Sequence, residues 1–169
     1  MDPILDKARG DQNVLERLMN MIPGFKGYRE KELRRDTDKI LREFLAGRLD
    51  LGKKGLDQVA ANATRAKTLD VINDVETARK RLDKVAQKIR YADRGYAGLF
   101  DRVKIDEAVL ARVHAFDASI VDAVESIRNS ASTAGTAPDP RTAMQAVIAE
   151  IDALEARLTE REAILAGIR

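Results

Sequence analysis

LDQVAANATRAKTLDVINDVETARKRLDKVAQKIRY, residues 56–91, decides how the chain is read. Leu56, Val59, Ala63 and Ala66 recur at intervals of three and four, and so do Val71, Val75, Ala78, Leu82, Val85 and Ile89. That spacing gathers apolar side chains on one face of an α-helix, and nothing in the stretch alternates with period two. It predicts a third helix over about 56–91, some 54 Å long at 1.5 Å per residue. The step from Ala66 to Val71 is five residues, which turns the apolar stripe by about 100°. The expectation is one long helix with two faces, the first alanine-rich and suited to close approach.

Toward the N-terminus, Asp2-Pro3 reads as a cap followed by a proline at the first helical position of a helix over about 3–22. Gly10 weakens it, and Asp11 can cap its continuation; Val14, Leu15, Leu18, Met19 and Ile22 then form an apolar stripe that Pro23-Gly24 ends. A second helix is expected over about 28–49, with Leu33, Ile40, Leu41, Phe44 and Leu45 on its apolar side. Extending that seam puts Arg48, Gly52 and Gly55 at core positions, and each glycine costs about 1 kcal/mol inside a helix. Residues 50–55 are therefore expected to form a corner.

Toward the C-terminus, 91–103 reads as a turn around Tyr96, Leu99 and Phe100, and a fourth helix is expected over about 105–129. Residues 130–138 have the composition of a flexible linker, and Asp139-Pro140 caps a last helix over about 140–168. Its seam of Met144, Val147, Ile151, Leu154, Leu158, Leu165 and Ile168 is interrupted only by Arg161. A charged residue there fixes register or snorkels more often than it catalyses. The fold class is all-α: one elongated helical domain over 1–169, an antiparallel bundle or coiled coil of about five helices without strands. Short connections make neighbours antiparallel. The second helix should fold along the first half of the third, and the fourth and fifth along its second half.

Composition agrees. Charged residues are 34%, hydrophobic residues 44% and aromatics only 4%, with no Trp, a mixture typical of long helices. The absence of Cys removes disulfides and thiolate chemistry. No apolar run reaches the roughly 20 residues that span a bilayer, and no secretory signal pattern opens the chain, so a cytoplasmic setting is expected. Charge is uneven: residues 1–94 hold 22 Lys/Arg against 16 Asp/Glu, and residues 95–169 hold 8 against 12.

Three patterns resemble chemical sites. Gly47 to Lys54 matches the spacing of a phosphate loop, but Lys54 stands where the metal-binding hydroxyl belongs and a helix precedes it instead of a strand. His114, the single histidine, lies three residues from Asp117, a spacing open to a metal. The neighbouring seam of Val113, Phe116 and Ile120 is expected to leave both at its wet edge, and helical metal sites need more ligands. Acidic pairs such as Asp106-Glu107 suit a helix's first turn. No nucleophile is paired with a base. The chain is expected to be no enzyme, with neither cofactor nor metal.

What remains is surface. Lys26, Arg29, Lys31, Arg34, Arg35, Lys39 and Arg42 form a basic stretch, and Arg79, Lys80, Arg81, Lys84, Lys88 and Arg90 a second cluster. Interleaved acids at helical spacing favour a solvated face and argue against nucleic acid. The stripe Val14, Leu15, Leu18, Met19 and Ile22, with the basic stretch behind it, offers an alternative as an anionic-membrane anchor, although its polar face is nearly neutral.

Residues 22–36 (Ile-Pro-Gly-Phe-Lys-Gly-Tyr-Arg-Glu-Lys-Glu-Leu-Arg-Arg-Asp) and 91–101 (Tyr-Ala-Asp-Arg-Gly-Tyr-Ala-Gly-Leu-Phe-Asp) resemble stretches of uncharacterised bacterial all-helical proteins. The resemblance implies a bacterial origin and no activity. Both segments are glycine- and aromatic-rich joints that set corner geometry. Phe25, Tyr28, Tyr91, Tyr96 and Phe100 otherwise make a recognition surface together with Lys26, Arg29, Lys31, Arg34 and Arg35. The leading expectation is a non-enzymatic interaction or scaffold protein whose partner is another protein or a second copy of itself.

Overall fold

The computed structural model describes residues 3–92 and 107–167, with side chains over 9–92 and 107–164. It is all-helical, with no strand among the described residues. Helix α1 spans Pro3–Met21, a short 3-10 turn Lys31–Leu33 leads into α2 at Arg34–Ala66, and α3 spans Leu69–Tyr91. α4 spans Glu107–Ala134 and α5 Pro140–Gly167.

Four of these make the core. α2 packs on α3 and on α4, and α5 completes the square by packing on the same two. α3 and α4, consecutive in the chain, therefore stand at opposite corners. Within each hairpin the helices are antiparallel: Asp57 pairs with Arg79 and Asp50 with Arg90 across α2–α3, and Asp117 with Arg161 across α4–α5. Between hairpins they are parallel. Arg48 meets Glu125 at 3.0 Å across α2–α4, and Lys84 meets Glu155 at 2.8 Å across α3–α5. The core is aliphatic as composition requires, with Leu41, Leu49, Leu56, Leu82, Ile120, Ile127, Met144, Ile151 and Leu154 wholly buried or nearly so. α1 lies outside the square, against α4.

The largest correction concerns residues 50–69. α2 runs unbroken through Gly47, Gly52 and Gly55, and the corner expected at 50–55 lies instead at Lys67–Thr68. Gly52 and Gly55 serve approach between helices. A Cβ on Gly55 would sit 2.8 Å from the backbone C and O of Ala131 and the N of Ser132, so α2 and α4 touch backbone to backbone there. The actual stop is a Schellman motif. Lys67 takes the left-handed conformation (φ 57°), its N–H bonds Thr64 O at 3.2 Å, and Thr68 N–H bonds Ala63 O at 3.0 Å. The five-residue step from Ala66 to Val71 marks this break, so the stripe belongs to two helices and not to one with two faces.

Smaller corrections follow the same logic. α1 passes through Gly10 without interruption. Tyr28 precedes the second long helix, which begins at Arg34. Residues 130–134, expected in a flexible linker, extend α4, and Asn62 Nδ2 donates to Gly135 O at 3.0 Å just beyond it. Asp139 caps α5 as expected: its Oδ1 accepts the N–H groups of Arg141 and Thr142 at 3.2 and 3.3 Å. Those bonds, with the Thr142 hydroxyl foremost, hold its carboxyl below the usual carboxylate range. Of the turn expected at 91–103, residues 93–103 lie outside the described residues.

Candidate functional site

Two places on the bundle depart from aliphatic packing, one at each end. The first surrounds Arg161. It occupies a seam position of α5, so the helix carries it inside, where a lone charge is prohibitively costly without partners. The partners are present. Its Nε donates to Asp117 Oδ1 at 2.7 Å on α4, and its Nη2 to Asp38 Oδ1 at 2.9 Å on α2. The Tyr28 hydroxyl donates to Asp117 Oδ2 at 2.8 Å, and Arg42 Nε donates to Asp38 Oδ2 at 2.8 Å. Arg42 also reaches the Arg90 carbonyl at 2.9 Å, fastening the last turn of α3, and Arg34 Nε donates to Tyr28 O at 2.6 Å.

Burial works against the Arg161 charge, but Asp117 and Asp38 outweigh it and hold the guanidinium firmly protonated. Burial, reinforced by the Asp117 charge, pushes the Tyr28 phenol well above its ordinary range, so it stays a hydrogen-bond donor. Both oxygens of each carboxylate are engaged. Chemically this arrangement is a clamp joining α2, α4, α5 and the segment around Tyr28.

His114 and Asp117 were expected at a wet edge of α4; they are inside, Asp117 fully and His114 at 6% exposure. α4 is enclosed on that side by the Ile22–Tyr28 segment, which wraps over it on two left-handed glycines, Gly24 (φ 83°) and Gly27 (φ 76°). Tyr28 stacks on the His114 ring at 5.4 Å, and Phe25 meets Tyr28 edge-on at 5.7 Å. Among the described residues no group of three or more His, Asp or Glu is placed to hold a metal ion.

The remaining sequence candidates scatter. Phe25 and Tyr28 are core residues and Arg34 is buried beside them, so these three belong to the joint and not to an exposed recognition surface. Lys26, Arg29, Lys31 and Arg35 are exposed, and Arg29 pairs with Glu107 at 3.1 Å. Tyr91 is 73% exposed on the last turn of α3; Tyr96 and Phe100 lie outside the described residues. The second basic cluster is an inter-helix ladder, with Arg79 on Asp57, Arg81 on Asp152, Lys84 on Glu155 and Arg90 on Asp50. Of the apolar stripe, Leu18 and Ile22 are fully buried, Val14 and Leu15 half-buried against the core, and Met19 exposed. The phosphate-loop look-alike lies mid-helix, where Lys53 is bound to Asp50 and Asp83.

The second place was not visible in the sequence. Because α3 and α5 run parallel, the α2–α3 turn and the start of α5 lie side by side. Between them opens a cleft of about 670 Å³. Val59, Ala63, Ala66, Val71 and Pro140 give it an apolar floor, and the Asp70–Arg141 pair (3.2 Å) closes one edge. Leu69 stands at the mouth, 72% exposed. Small residues at Ala63, Ala66 and Gly135 leave the space unfilled.

Comparison with protein-family models, with curated proteins and with solved structures finds no match.

Proposed function

We propose that the chain is a non-enzymatic interaction protein that receives an apolar segment of a protein partner in the cleft between its hairpin turns. The observation that carries this is Leu69, a large apolar side chain left 72% exposed at the edge of an apolar cleft. Exposed apolar surface rimmed by polar residues marks binding sites more often than bare structure. The clamp supports the same reading, because its charged groups are consumed in holding helices together. A cytoplasmic setting and a bacterial origin belong to the proposal, and the cysteine-free composition agrees with the first.

A photo-crosslinking residue placed at Leu69 tests it, against the same residue at Lys80, an exposed position on α3 away from the cleft. A discrete adduct from position 69 alone is expected, and its mass tells a foreign partner from a second copy. Equal adducts from both positions, or none, defeat the reading.

The anionic-membrane alternative meets a condition. The stripe that was to enter the bilayer faces α4, with Leu18 and Ile22 wholly buried, so that function requires α1 to leave the bundle.

A further inference from the structure

His114 is the single histidine of the chain, and the segment leading out of α1 is folded around it. Its Nε2 accepts the backbone N–H of Tyr28 at 3.3 Å, with the Tyr28 ring stacked on one face and Phe25 edge-on at 6.4 Å. Gly27 passes so close that a Cβ there would lie 3.2 Å from Nε2 and 2.9 Å from Leu15 Cδ1, which brings α1 into the same contact. Only a neutral imidazole with a free lone pair on Nε2 can accept that N–H; the imidazolium carries N–H on both nitrogens. We propose that His114 is an acid-sensitive latch, whose neutral ring holds α1 and the Ile22–Gly27 segment on α4 and whose protonation releases them, while the Tyr28 hydroxyl stays bound to Asp117.

The groups facing the ring decide whether a proton is tolerated. Asp117 and Glu107 come from α4, Arg29 and Tyr28 from the joint, and Asp11 from α1. Asp117 already holds Arg161 and Tyr28, one on each oxygen, which offsets much of its pull on a ring cation. Glu107 is exposed and pairs with Arg29. Stacking on Tyr28 returns part of the cost of a cation, but it cannot replace the lost acceptor. Burial is the largest influence and holds the ring below the ordinary histidine range, against the pull of Asp117. The sign follows: the contact is at full strength above about pH 6.5 and is lost as pH falls through the lower folded-state value. α1 packs mainly on α4, and its Arg17–Asp122 pair is exposed and weak. Release bares Leu18 and Ile22, the surface that the membrane reading needs. The latch does not depend on the cleft.

Because the chain has no cysteine, spin labels at Asn13→Cys on α1 and Ala115→Cys on α4, both exposed, report their separation directly. One short distance is expected at about pH 7.5, with a longer, broad population that grows by at most about tenfold per pH unit between the ordinary histidine value and the lower folded-state value and levels off below it. His114→Gln, whose carbonyl accepts the same N–H without titrating, should keep the short distance at both pH values. An unchanged distance at about pH 5 in the His114 protein, or equal release in His114→Gln, overturns the latch. If His114→Gln does not fold, amide exchange of the unsubstituted chain decides. Acid-accelerated exchange confined to α1 and the joint supports the latch; uniform or absent acceleration overturns it.

Discussion

The two ends of the four-helix square are finished in opposite ways. Where α3 runs out at Tyr91, Arg161, Asp38, Asp117, Tyr28 and Arg42 close the interior with charge, every carboxylate oxygen engaged and Arg90 O caught in passing. Where the hairpins turn, the finish is apolar and incomplete, with alanines and a glycine bordering a cleft and Leu69 exposed at its edge. Aliphatic packing is tolerant of slippage, because one Leu fills another's place at little cost. A buried ion cluster is not tolerant: it is satisfied in one register only, and a slip strands charges. The closed end thus fixes how α2, α4 and α5 align, which leaves the open end free to keep the cleft that we propose as a binding surface.

That contrast breaks most visibly at Arg161. Arg161→Met fills a similar volume but leaves Asp38 and Asp117 buried without their cation, and a loss of about 3–5 kcal/mol is expected. Urea unfolding measures it. A loss below about 1 kcal/mol would put the cluster with exposed pairs and remove it as the register device. Leu69→Ser at the other end should leave stability within about 0.5 kcal/mol while abolishing the adduct from the same crosslinking residue placed at Ala66, exposed on the cleft lining.

The sequence was informative where periodicity spoke. Helix type, the aliphatic core, the Asp139 cap and the proline starts of α1 and α5 were legible, because each depends on neighbours within a turn or two. What failed depended on partners far away in the chain. His114 and Asp117 flank the α4 seam and read as wet; a joint from residues 22–28 covers them, and no local pattern announces that. The usable signal was Arg161, since a cation at a core position of an apolar seam demands buried carboxylates opposite it. Asp38, one turn before Leu41 and Arg42 on α2, was available to answer. The misplaced corner has a sharper cause. Glycine is the usual mark of a helix stop, but here the glycines sit where α2 and α4 touch and a lysine makes the stop. The cleft needed two turns distant in sequence to be set side by side, which only the parallel pairing of α3 and α5 reveals.

Glycine substitutions sharpen the same lesson at intermediate size. Gly55→Ala should destabilise by about 1–3 kcal/mol, because its methyl meets the Ala131 and Ser132 backbone, which cannot swing aside. Gly47→Ala, eight residues earlier on the same helix with nothing within 4 Å of its Cβ, should stabilise by roughly 0.5–1 kcal/mol through backbone entropy. Thermal unfolding of the pair separates the two roles by sign. If both substitutions stabilise, α2 and α4 are further apart than the contact at Gly55 requires.

The smallest effect tests the stop itself. Lys67 holds a left-handed backbone that costs an L-residue roughly 1–2 kcal/mol, and its exposed side chain brings no burial to offset this. Lys67→Gly removes that strain but gives the unfolded chain more freedom, worth about 0.5–1 kcal/mol in the opposite sense. The difference leaves a gain of about 0.5 kcal/mol, visible as a small rise in the urea midpoint without a change in slope. Lys67→Val should move the other way, since a β-branched side chain tolerates the left-handed region worst. A Lys67→Val protein as stable as the unsubstituted chain would show that α2 does not stop at Ala66, and the single 36-residue helix expected from residues 56–91 would return.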